Sequence, residues 1–271
     1  MRKTIWLLCL ALSVSCAALA DDDEGHHHEE LTQEQLGTVN FPVSCTPDAQ
    51  NTFQRGVALL HSFWYEEAEK TFLEVEKQDP NCAMAHWGVA MSLWHQLWDQ
   101  PDAATIKRAS AELKKTGKPK AATQRERDYI AAVTVFYSDS GKLDHDTRAK
   151  AYSDAMQKVY QRYPDDHEAA AFYALSLLAS EPDGDTTFAN RKQAGAILDI
   201  FLQDHTDSQR RNRYLTHVHL YVVELYICHH VDDFPFELCR SLPKVNDSLV
   251  IRQPPEFEVV EGHGANRVAQ R

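Results

Sequence analysis

At 271 residues, 43% of them hydrophobic and 25% charged, the chain has the composition of a folded globule, which excludes a disordered or low-complexity polymer. Lys and Arg number 28 against 40 Asp and Glu, a net charge of −12. That balance, with no basic run, argues against nucleic acid or an anionic membrane surface as partner.

Residues 1–20 read as a secretory signal. Arg2 and Lys3 give the positive start, residues 4–12 are almost wholly apolar, and Ala18 and Ala20 place small side chains at the cleavage subsites. The apolar stretch is shorter than the ~20 residues of a membrane helix. The expected mature chain therefore starts at Asp21, has no membrane span, and is periplasmic or extracellular. Residues 21–46 form an acidic, His-rich, disordered segment and lead-in, with His26, His27 and His28 read as part of a solvated tail. Once Cys9 and Cys16 leave with the signal, Cys45, Cys82, Cys228 and Cys239 remain, an even number suited to disulfides in an oxidising compartment.

From about Ala49 apolar side chains recur every three or four residues: Phe53, Val57, Leu60 and Trp64, then Ala68, Phe72 and Val75. Pro80 and Asn81 stop this first helix pair. A second pair is predicted over 83–97 and 102–115, a third over 122–137 and 146–163, and a fourth over 166–179 and 187–204. Breakers separate them: Pro101, Gly117 with Pro119, Gly141, Pro164, and Pro182 with Gly184. Asp102, Asp146 and Asp166 stand where N-caps or first-turn acids belong. Gly56, Tyr65, Ala68, Phe72 and Pro80 have the offsets of a tetratricopeptide repeat of about 34 residues. In that unit small residues let two helices approach and aromatics fill the gap to the next pair.

The fold expected over 47–204 is therefore all-α, a tetratricopeptide-like right-handed array of four antiparallel helix pairs. Alternate helices of such an array start at the same end. Cys45 precedes the first helix and Cys82 opens the third, so these two are expected to bond. The composition changes after 204: residues 47–204 hold 25 Ala, whereas 205–271 hold two Ala and nine Val. Arg210, Arg211 and Arg213 interrupt the apolar spacing, and Pro235, Pro243, Pro254 and Pro255 forbid a long helix. Residues 205–271 are read as an irregular tail, the look of a truncated or frame-shifted relative of a longer array.

Several runs carry a more specific likeness. Leu36-Gly-Thr-Val-Asn-Phe-Pro-Val-Ser-Cys45 and Arg55-Gly-Val-Ala-Leu-Leu-His-Ser-Phe-Trp-Tyr65 are two of them. Asp79-Pro-Asn-Cys-Ala-Met-Ala-His-Trp-Gly88, Ala90-Met-Ser-Leu-Trp-His95, Arg125-Glu-Arg-Asp-Tyr-Ile-Ala131 and Tyr163-Pro-Asp-Asp166 are the others. Over residues 36–204 the chain resembles a family of exported bacterial tetratricopeptide-repeat proteins. The resemblance implies the fold and export, and no reaction. Members of that family continue with further helix pairs and a His-Tyr-Leu-Ile-His motif, where this chain has Arg213-Tyr-Leu-Thr-His217 and then diverges.

Signatures of chemistry are sparse. The chain has no phosphate-cradling Gly-rich loop, no G-x-S-x-G elbow and no H-E-x-x-H pair. Among its 14 His, His61 and His95 fall at the ends of the first and third predicted helices, equivalent places in successive repeats, and are the candidate metal ligands. His217, His219, Cys228, His229, His230 and Cys239 match no zinc-module spacing, and a Cys228–Cys239 disulfide, or no ordered site at all, suits them better than zinc. Trp64, Trp87, Trp94 and Trp98 read as core, with Trp64 plugging the first repeat and Trp98 the most exposed. The expected function is an interaction module holding a protein or peptide in a concave groove lined by Gln54, Arg55, Ala58, His61, His86, Val89 and Ser92, without cofactor or catalysis. The alternative is a metal-dependent hydrolase centred on His61 and His95.

Overall fold

The computed structural model describes residue 36 and residues 39–117 and 123–204, with side chains described as far as 198. The expectations for the leader, the acidic segment up to residue 35, and the tail with Cys228 and Cys239 lie outside the described residues.

Among the described residues every regular element is an α-helix. They are α1 (Pro47–His61), α2 (Tyr65–Gln78), α3 (Ala83–Ser92), α4 (Ala103–Lys115), α5 (Gln124–Tyr137), α6 (His145–Arg162), α7 (His167–Ala179) and α8 (Ala189–Asp204). The helix starts follow from local chemistry. Pro47 opens α1, where its missing N–H has no intrahelical partner to lose. Asp102 accepts the Thr105 N–H at 2.7 Å and caps α4. Thr123 and Glu126 form a reciprocal capping box on α5. Asp144 caps α6 by taking the Thr147 N–H at 2.8 Å, and Asp146 stands as a first-turn acid, one of the two roles expected of it. Asp166 precedes α7 but makes no side-chain cap bond, because its carboxylate is engaged elsewhere.

Each helix packs on its successor, and α3 also packs directly on α1 and on α5. The first two turns of packing depend on one ring. A Cβ added at Gly56 would lie 2.7 Å from the Phe72 ring, and one added at Gly88 only 2.2 Å from it. Phe72, fully buried on α2, thus lies against bare backbone of α1 on one side and of α3 on the other.

Two aromatic clusters form the core. Phe41, Phe53, Trp87, Tyr129 and Phe172 make the first, with centroid separations from 4.9 Å (Phe41–Tyr129) to 5.5 Å (Phe41–Trp87) along its closest contacts. Trp94, Phe136 and Tyr152 make the second. Trp94 stacks on Phe136 at 3.5 Å and meets Tyr152 edge-on at 4.9 Å. This second cluster explains a difference from the sequence reading. α3 ends at Ser92, well short of the predicted residue 97, and Trp94 turns inward to full burial. His95 consequently lies in a turn and not at a helix end. Trp87 and Trp94 are the buried tryptophans, while Trp64 and Trp98 are both half-buried.

Candidate functional site

The lead-in to the first helix packs on the helices, and meets the expected groove lining at Gln54. Residues 39–45 run without helix across α1, α5 and α7, with Val39 and Phe41 buried. Phe41 enters the first aromatic cluster and carries the Arg125 guanidinium over its face at 4.2 Å. A segment without helix or sheet leaves its backbone groups without ladder partners, so side chains must supply them. Gln50 donates to the Phe41 carbonyl at 2.9 Å and accepts the Val43 N–H at 2.8 Å. Gln54 donates to the Val39 carbonyl at 3.0 Å, and Arg125 donates to the Pro42 carbonyl at 3.1 Å. The Glu126 carboxylate accepts both the Ser44 N–H and its hydroxyl. The Asn40 N–H reaches Glu168. At its end the segment is fixed covalently: the Cys45 and Cys82 sulfurs are 1.98 Å apart and form a disulfide to the start of α3.

Beneath the segment lies a buried polar contact between the first and fourth helix pairs. His61 Nε2 is 3.1 Å from Glu168 Oε2, with side chains 2% and 4% exposed. Burial drives both groups to their neutral forms, pulling the His61 pKa down to about 3 and pushing that of Glu168 up to about 8. The neighbouring Asp166 charge adds to the rise at Glu168, and Arg125 opposes it. At neutral pH the site therefore holds a carboxylic acid facing a neutral imidazole, a contact in which only one group donates. It ties α7 to α1 across 107 residues of sequence.

Two of the runs singled out in the sequence converge beside it. Arg125 makes a two-pronged contact with Asp166, at 2.6 and 3.0 Å, and Tyr129 donates to the same carboxylate at 2.9 Å. Arg162 and Tyr163 each donate to Asp128 at 2.7 Å. Asn40, Pro42, Arg125, Arg162, Tyr163 and Asp165 wall an open cleft of about 430 Å³, with Glu168 at its edge.

The predicted lining residues are distributed differently from the expectation. Ala58, His61, Val89 and Ser92 are buried, Gln54 is committed to the lead-in backbone, and Arg55 is half-buried. His86 faces neither groove nor lead-in: its Nδ1 lies 2.7 Å from Glu76 on α2 and 3.2 Å from Glu112 on α4. The candidate metal ligands are not gathered into one set. His61 engages Glu168, whereas His95 stacks on Tyr65 at 4.4 Å and contacts Asp99 at 3.1 Å. Sequence reasoning missed Glu168, Arg125 and Asp166 as one constellation; the only signal was that Arg125 and Asp166 both stood in the resemblance runs. Comparison with protein families, curated proteins and solved structures finds no match to this chain.

Proposed function

We propose that this chain is an exported, tetratricopeptide-like interaction module that binds an extended protein or peptide segment and carries out no reaction of its own. The observation that carries this reading is the way residues 39–45 are held. Gln50, Gln54, Arg125 and Glu126 take the backbone of a non-helical segment, and one aromatic pocket takes a single side chain, Phe41. Backbone bonds give such a site affinity for any extended segment, and the pocket gives it a preference. The cleft beside the segment offers the same inner helices, with Arg125 and Tyr163 at hand, to a second stretch of polypeptide. Export fits the Cys45–Cys82 disulfide, which an oxidising compartment preserves. No described helix is long and apolar enough to cross a membrane.

A photo-crosslinking amino acid in place of Tyr163, in the full-length chain exposed to a random peptide library, tests the reading. Crosslinks to a recurrent peptide class, competed by that peptide in free form, are expected. Selected peptides that crosslink equally well from a position on the exposed face of α4, such as Lys107, would overturn it.

A further inference from the structure

Between α2, α3 and α4 lies a second polar cluster, none of whose residues touches the lead-in segment. Glu76, His86 and Glu112 each present one ligand atom, and the three atoms lie within 4.8 Å of one another. His86 Nδ1 is 2.7 Å from Glu76 Oε1 and 3.2 Å from Glu112 Oε2. The three side chains are 10–19% exposed. A tetrahedral zinc ion with bonds of about 2.0–2.2 Å holds its ligand atoms roughly 3.3–3.6 Å apart. The two His86 spacings fall just short of that value and the third pair lies within 4.8 Å, so small side-chain rotations bring all three atoms onto one ion.

The position an ion would neutralise is held by a lysine. Lys115 Nζ lies 2.8 Å from Glu112 and 3.9 Å from Glu76, and its side chain is 47% exposed, free to swing into solvent. Two carboxylates against one ammonium leave the cluster one negative charge in excess when His86 is neutral. A single His86 ring nitrogen facing two carboxylate oxygens can donate well to only one of them, whereas a cation is bound by all three. The donor set, one imidazole and two carboxylates from three different helices, suits a borderline divalent ion with a water in its fourth position. We propose that Glu76, His86 and Glu112 form a zinc(II) site that clamps α2, α3 and α4 together, with Lys115 as the ammonium that the ion displaces.

The test is titration of the full-length chain with zinc chloride, followed by calorimetry and by thermal unfolding. His26, His27 and His28 are replaced by Ala throughout, so that no zinc taken up by a run of three His enters the comparison. The parent is expected to bind one more equivalent, at micromolar affinity, than His86→Gln, and to unfold at a higher temperature with zinc than without. Glu112→Gln should weaken binding at least tenfold. Lys115→Met should tighten it several-fold, which a lysine serving only the apo ion pairs would not do. Equal zinc uptake by the parent and by folded His86→Gln would overturn the proposal. So would Lys115→Met with affinity unchanged or lowered, a readout that stands even if the His86 variant fails to fold.

Discussion

His61 with Glu168 and His86 with Glu76 and Glu112 are built from the same two residue types, at similar distances, and arrive at opposite chemistry. The first contact is sealed between helix pairs, where each charge would lose its hydration. There the neutral forms win on both partners. The second is reached by water and by Lys115. Burial raises the Glu112 carboxyl there too, but Lys115, bonded and charged beside it, together with Glu76 and His86, outweighs that and holds Glu112 below the usual carboxylate range. Counter-charge and access to solvent set the protonation, not the identity of the residues. One site joins distant helix pairs without any charge; the other keeps its charge where a cation can use it.

The sharpest way to break this comparison is to open the sealed side. Trp87→Ala removes a fully buried ring shared by Phe41, Phe53, Phe72, Tyr129 and Phe172. It should cost about 3–5 kcal/mol in chemical denaturation. Trp98→Ala, on a half-buried ring, should cost far less, and equal midpoints for the two would misplace the core. A smaller loss is expected from Cys45→Ser with Cys82→Ser, about 2–4 kcal/mol for a link across 37 residues. Without the disulfide, limited proteolysis should gain a cut within 39–45 that the parent lacks; the same cuts in both would mean that the side-chain bonds alone hold the segment.

The subtlest effect is one of pH. Folded, the His61–Glu168 pair keeps one proton between about pH 3 and 8. Unfolded, with ordinary values of 6.5 and 4.5, it binds two protons well below pH 4.5 and none well above 6.5. Its contribution to stability is therefore greatest between those two values. It falls on the acid side as the unfolded chain takes up the second proton. It falls again from pH 6.5 to 8, as the unfolded chain releases a proton that the folded pair retains, with a slope approaching ~1.4 kcal/mol per pH unit. Glu168→Gln keeps the neutral shape and should flatten that alkaline limb. An unchanged limb in urea midpoints measured across this range would assign the proton to another group.

The helices were legible because alternating apolar faces and breakers leave a periodic trace, and each predicted pair formed with ends shifted by a few residues. What each helix faces was not equally legible. All ten residues of α3 are buried, so its sequence has no polar stripe to distinguish the side facing α1 from the side facing α4. His86 was accordingly placed with Val89 on a groove, though it points between α2 and α4. The lead-in carried no helical period, and its role rests on hydrogen bonds with Gln50 and Gln54 as donors and Glu126 as acceptor, residue types that also suit a solvated helix face. His61 and Glu168 could not be paired from sequence, because no local pattern links positions in the first and seventh helices.

The Phe72 ring, lying between Gly56 and Gly88, bears on how these helices can change. Repeat arrays are commonly treated as strings of exchangeable units, each meeting its neighbour through a generic surface. Here α1 and α3 share one side chain of α2, and each is bare where that side chain passes. Alanine at either glycine puts a methyl group into the ring, an overpacking that costs about 1–3 kcal/mol. The exchange is tolerated only if residue 72 shrinks at the same time. The three positions are coupled by packing, and the smallest portable piece of this end of the molecule spans α1 to α3.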